Sequence, residues 1–212
     1  MPNTSATGGS LLPDPSGVAP LEGQDLYRFF QQLFSNVTGL DGTLIRPAWQ
    51  GEPPTLPDAA TAWMALGITR RPSDKFPPVY HDGAANGGLG KSTLMRQEIL
   101  TILSSTYDLG VNGQADYYSA LLRDAFAIGQ NREPLQLNSI GFVESGDLIT
   151  VPALVKQRWM YRVDCELSFR RLVLRDYAVL NIVSAGGDIR TQKGSADGIN
   201  QDDEPWSVAG WS

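Results

Sequence analysis

The sequence predicts an α+β fold, a mainly antiparallel sheet with two flanking helices and extended arms at the N- and C-termini. Three observations carry this expectation. Residues 158–170 alternate between apolar and polar almost without fault. Two stretches, 24–38 and 115–128, repeat apolar residues at helical spacing. Residues 1–22 and 186–212 are rich in small and polar residues and have no periodicity, so each reads as an arm or tail flanking a single domain over 23–185.

The alternation is the strongest signal. Trp159, Tyr161, Val163, Cys165, Leu167 and Phe169 form one row, and Arg158, Arg162, Asp164, Glu166, Ser168 and Arg170 the other; Met160 alone breaks the polar row. Successive strand side chains point to opposite faces, so one face is buried and one is wet. One-sided strands belong mostly to antiparallel sheets.

In chain order, Leu26, Phe29, Phe30, Leu33 and Val37 make one helical stripe, with Gly39 as its stop. Leu44, Ile45 and Arg46 suit a short strand. Pro47, Pro53, Pro54 and Pro57 then argue against regular ladders. Residues 62–68 read as a strand buried on both faces or covered by a neighbour. Residues 70–92 read as irregular, with a glycine-rich loop at 83–92. Residues 94–107 are ambiguous in their first half and strand-like in their second, and are assigned as a strand that closes a long hairpin with 62–68. The second helix carries Tyr118, Leu121, Leu122 and Ala125, followed by Gly129. Short strands at 139–143 and 148–151 flank a turn at Ser145, Gly146 and Asp147. Leu172 and Leu174 shift the parity of the long strand, which predicts a β-bulge near Arg170 and Arg171. Residues 178–183 are a further strand candidate.

The chain has 212 residues, 17 Lys and Arg against 23 Asp and Glu, and a net charge of -6. That balance argues against a dedicated nucleic-acid binder. No apolar run approaches the length of a membrane span, and the first residues lack the pattern of a signal peptide. Cys165 is the single cysteine, which excludes an internal disulfide; on the apolar row it reads as a buried, inert thiol.

Asn86-Gly87-Gly88-Leu89-Gly90-Lys91-Ser92-Thr93 is similar to a phosphate loop, in which glycine N–H groups wrap a phosphate, lysine reaches the terminal phosphates and Ser or Thr holds magnesium. Ala85 stands where the first glycine belongs, and no buried strand precedes the loop. A flexible loop between strands is the stronger reading, with a nucleotide-binding enzyme as the alternative. His81 is the single histidine and reads as solvated in a turn, so neither a triad nor a zinc site is expected. The acidic run Asp202-Asp203-Glu204 reads as a solvated tail rather than a cation site. No catalytic residue, cofactor or metal is therefore assigned. Arg158, Arg162, Arg170 and Arg171 are expected near one sheet face, with Asp164 and Glu166 as ion-pair partners. Arg162, Arg170 and Arg171, together with Trp206 and Trp211 in the polar tail, are the candidate partner contacts.

The opening helix from Asp25 to Leu33, running into Val37-Thr38-Gly39-Leu40, carries a family resemblance. So do Ile45-Arg46-Pro47-Ala48-Trp49-Gln50, the strand around Trp63, Gln157-Arg158-Trp159-Met160-Tyr161-Arg162-Val163-Asp164 and the end of the sheet after Asp176-Tyr177. Together they resemble the neck or tail terminator proteins of tailed bacteriophages. The resemblance implies a structural virion protein, not an enzyme. It implies a ring, usually a hexamer, that terminates the tail tube and joins it to the head-side connector or stopper, with the sheath as a further neighbour. DNA would pass through without specific binding, and assembly would take place in the host cytoplasm with no membrane partner. A different tail tube or minor tail component is the other alternative.

Overall fold

The computed structural model describes residues 3–17, 19–49, 61–109, 113–155 and 157–182. The fold is α+β, with a six-stranded, mostly antiparallel sheet. Its elements are α1 Gly23–Thr38, β1 Ile45–Pro47, β2 Trp63–Arg70, β3 Val79–Asp82, α2 Ala85–Gly88, β4 Lys91–Asp108, α3 Gln114–Ala125, α4 Glu133–Leu137, β5 Ile140–Val155 and β6 Arg158–Tyr177. The strand order is β1-β2-β4-β6-β5, and β3 also pairs with β4. The predicted hairpin is present, with β2 antiparallel to β4 and Trp63 opposite Tyr107. The chain divides into two compact units: 15–80 with 94–175, and 1–14 with 81–93 and 176–212.

The larger unit holds the hydrophobic core. α1 buries Leu26, Phe30, Leu33 and Phe34, and Gly39 closes it in the left-handed conformation, its N–H donating to the Ser35 carbonyl. Phe30 packs on Phe169 of β6 with ring centroids 5.0 Å apart, and Phe126 meets Phe169 edge-on at 5.5 Å. Losing one of these enclosed rings to Ala would cost about 3–5 kcal/mol. α3 turns Ala115, Ser119, Leu122 and Ala125 inward. The predicted stripe residues Tyr118 and Leu121 are half-buried instead. The buried face tolerates Ser119 because its hydroxyl is 3.0 Å from Thr106 Oγ1.

Several local expectations are corrected. Pro47 does not end the ladder, because it closes the edge strand β1 opposite Leu66, where a missing N–H costs least. Residues 79–82 and 91–92 are strand rather than irregular. The Ser145-Gly146-Asp147 segment is a bulge inside one continuous β5, not a turn. A Cβ on Gly146 would lie 3.2 Å from the Glu166 carbonyl oxygen, a tighter approach than most side chains make. The parity change near Arg170 and Arg171 does not occur. Val163, Cys165, Leu167, Phe169, Arg171 and Val173 are all buried, while Leu172 and Leu174 face outward. The register shifts lie opposite, between Phe142 and Glu144 and between Ser145 and Leu148. At the start of β6 the expected row fails, with Met160 buried and Trp159 exposed opposite Leu154. Residues 178–182 are not a strand: the Val179 N–H bonds the Tyr177 carbonyl at 2.8 Å, a turn too tight for a ladder.

The smaller unit ties part of the N-terminal segment down. The Ser5 N–H donates to the Ala178 carbonyl and the Asp14 N–H to the Asp176 carbonyl.

Candidate functional site

The predicted arginine group is split by the pleat. Arg170 is exposed opposite Gly141. Arg171 points the other way and is only 4 % exposed. Its Nε and Nη2 donate to Glu98 Oε2 at 2.9 and 2.8 Å, and Nη1 donates to the Leu21 carbonyl. Burial and these bonds make Arg171 a framework residue within its own chain.

Arg162 is also committed. It forks onto Asp164, with Nε 2.8 Å from Oδ1 and Nη2 bonded to Oδ2. The hydrogen bond that Arg162 donates to Asp164 raises the guanidinium pKa above its ordinary value. Its Cζ sits 5.9 Å from the centroid of the Tyr107 ring, which stacks on Trp63 at 4.2 Å and 5°. Trp63, Tyr107 and Arg162 thus lie side by side across β2, β4 and β6, the indole stacked on the phenol and the guanidinium within cation–π reach of it. Trp206, Trp211 and the side chain of Arg158 lie outside the described residues, as does the Asp202-Asp203-Glu204 run.

The glycine loop is not built as a phosphate loop. Lys91 and Ser92 open a strand, whereas a phosphate loop presents them at the start of a helix. Lys91 Nζ is 3.0 Å from Asp176 Oδ2, and Thr93 Oγ1 donates to Asp176 Oδ1 at 2.6 Å. These contacts, with the Thr93 hydrogen bond the largest cause, hold the Asp176 carboxyl below the usual range. The loop interior is filled by Asn181. Its Nδ2 donates to the Gly83 and Gly88 carbonyls, both at 2.8 Å, and its backbone N–H to the Leu89 carbonyl at 2.7 Å. Because the amide nitrogen is thereby placed, Oδ1 faces His81 Nε2 at 2.8 Å, which must carry the proton. His81 Nδ1 lies 3.0 Å from the buried Ser92 hydroxyl, within hydrogen-bond reach. His81 is exposed, as expected, but it sits on β3 with both ring nitrogens engaged. Nothing near residue 181 in the sequence announces this plug; its partners lie more than 90 positions earlier.

Within the larger unit, α1 and β1 enclose an open recess of about 520 Å³. Tyr27, Ile45, Pro47, Trp49 and Leu66 give it apolar walls, and Arg28 and Arg46 line it. Trp49 is 63 % exposed. Its ring lies over Gly67, where a Cβ would come within 2.9 Å of the indole. At the far side of the sheet, the edge strand β5 carries Ile149 and Leu154 exposed. Among the described residues, no group of His, Cys, Asp or Glu could hold a metal ion, and no helix is long and apolar enough to cross a membrane.

Compared with known protein families, residues 24–193 match the family described as phage neck terminator protein. No curated protein matches the chain.

Proposed function

The chain belongs to the phage neck terminator protein family, and on that premise we propose that it forms a ring at the top of the phage tail, closing the tail tube and joining it to the head-side connector. It is a structural component of the phage neck. The observation that carries the proposal is the extent of the match, which runs from the second residue of α1 to beyond the end of β6.

Physical features support the same reading. Copies related by rotation build a closed ring through a heterologous contact between two different patches. The exposed apolar side chains of β5 and the recess beside β1 lie on opposite edges of the sheet order, so each copy presents two unlike surfaces. The net charge of -6 suits the wall of a conduit that must not grip passing phosphates. In this reading 23–185 is the ring-building domain, and the rest of 1–22 and 186–212 reach neighbouring chains. Partners are further copies, the head-side connector or stopper, the tail tube and the sheath. Assembly takes place in the host cytoplasm.

Native mass measurement of the full chain, paired with an image of the particle, tests the proposal. A closed ring of about six copies at the tail top is expected. A chain that stays monomeric in the particle, or a position at the distal tip of the tail, overturns it.

A further inference from the structure

Residues 70–76 read Arg-Arg-Pro-Ser-Asp-Lys-Phe, three cations against one carboxylate in a chain whose net charge is -6. The whole segment is exposed, and Phe76 is 92 % exposed. Yet the segment is braced. The Ile99 N–H of β4 donates to the Pro72 carbonyl, and the Met95 N–H to the Pro78 carbonyl, both at 2.9 Å. Between them the Asp74 N–H donates to the Gln97 carbonyl at 3.2 Å, and the Gln97 N–H donates to Asp74 Oδ2 at 3.1 Å. Phe76 is thus held out in water on a loop whose backbone is already fixed, so docking it costs little ordering entropy. The ion pairs of the described residues leave Arg70, Arg71 and Lys75 out.

The converse surface lies on the edge strand. On β5, Glu144 stands opposite Ser168 and Ile149 opposite Asp164, so both share the sheet face of Glu166. Asp147 lies in the bulge between them. Glu144, Asp147 and Glu166 are exposed, and the same ion pairs leave them out too. Arg123, whose charge reaches Asp147, is paired with Asp124 at 2.9 Å. The exposed Arg170, opposite Gly141, flanks the carboxylates at one end. Val143 and Ile149 are half exposed beside them and offer an aromatic ring an apolar seat.

We propose that the 70–76 loop of one copy docks on the β5 bulge of the next, with Phe76 against Val143 and Ile149 and its basic neighbours facing Glu144, Asp147 and Glu166. The occupant is a second copy because each patch finds its opposite, in charge and in apolar anchor, on this same chain. The loop lies along β4 and the bulge on β5, with β6 between. A contact between two such unlike patches is heterologous and closes a ring when the rotation fits. Opposed charges also steer the copies together and fix their register. This assignment rests on the ring reading above.

The test uses the full chain, with assembly followed by native mass. Arg71→Glu with Lys75→Glu, or Glu144→Lys with Glu166→Lys, should each weaken association between copies about tenfold. All four substitutions in one chain exchange the signs of the two patches and should restore the ring, a recovery that a misfolded chain would not give. Benzoylphenylalanine in place of Phe76, irradiated in a mixture of 15N-labelled and unlabelled copies, should join one copy to residues 143–149 or Glu166 of another. A ring that tolerates both double variants, a fourfold variant that does not recover, or cross-links that fall elsewhere or within single chains overturn the contact and leave the ring standing. A parent chain that is monomeric by native mass removes the ring and this contact with it.

Discussion

Arg171 and Glu98 form an ion pair on the covered face of the sheet, its two guanidinium contacts at 2.8 and 2.9 Å and both side chains nearly enclosed. Removing one partner leaves the other charged and dry. Arg171→Leu should therefore destabilise the fold by about 3–5 kcal/mol, although it replaces a charge with an apolar group in a core-facing position. Arg171→Leu combined with Glu98→Leu should recover most of that loss. Urea unfolding of the single and double variants measures both.

Gly90 sits at φ +90°, and a Cβ there would lie 2.6 Å from Asn181 Oδ1 and 3.0 Å from the Asn181 backbone nitrogen. Gly90→Ala should cost about 1–3 kcal/mol through backbone strain and the displaced amide. Hydrogen exchange should speed up at the Asn181 N–H, while the amides of β2 stay protected. Asn181→Ala removes the side-chain clash but not the strain, so it should not rescue Gly90→Ala fully.

Asp176 links the Lys91 ammonium and the Thr93 hydroxyl. Its carboxyl titrates below the unfolded value, so the folded state binds its proton less readily than the unfolded chain does. The stabilisation is complete above the unfolded pKa of about 3.9 and is lost as pH falls through the lower folded value. Thr93→Val should blunt this acid-side loss more than Lys91→Ala does, because the Thr93 bond is the larger cause. At neutral pH, Lys91→Ala should cost about 0.5–1 kcal/mol. Calorimetry with magnesium nucleotide should give no binding heat for either the parent chain or Lys91→Ala.

Cys165 lies fully enclosed on β6, and burial pushes its thiol up to about 11. Thiolate is the reactive form, so Ellman's reagent at pH 8 should modify it only as the molecule opens. The labelling rate should rise in step with unfolding in urea. Fast labelling in native buffer would contradict the enclosure.

The N-terminal arm gives a further check. The Ser5 and Asp14 N–H groups are bonded to carbonyls of the same chain, and the Ser5 hydroxyl accepts from the Leu180 N–H at 2.7 Å. Exchange at these amides should be slowed in dilute monomer, before any ring is present. Truncation of residues 1–14 should abolish that protection for Leu180.

The elements that were legible from sequence are those whose own residues supply the reason for their shape. The α1 stripe and its Gly39 stop are local, and the predicted start differs from the observed one by a single residue. The alternation in β6 was read correctly from Val163 to Phe169 and misread beyond it. A charged residue took the next core-facing position, and Glu98, 73 residues away, together with the Leu21 carbonyl, satisfies it there. The bulges in β5 resembled a turn because Ser-Gly-Asp serves both purposes, and pairing with β6 decides between them. α4 escaped notice because five residues, one of them Pro134, carry too little periodicity to register. The glycine loop was visible, but its plug was not. A sequence shows the charge of Arg162 and Arg171 without showing the partners, Asp164 and Glu98, that each engages.

The contact between Phe30 and Phe169 also sets a schedule for synthesis. α1 leaves the ribosome early, while the ring that covers it is about 140 residues further on. At about 5–20 residues per second, the wait is roughly 7–28 s. Throughout it, Phe30 lacks the β6 ring it packs on, and the nascent chain offers an incompletely covered apolar helix face to whatever binds such surfaces. Yield in a cell should therefore follow the supply of holding chaperones and the speed of translation, and slowing the ribosome should lower it even though the finished molecule is unchanged.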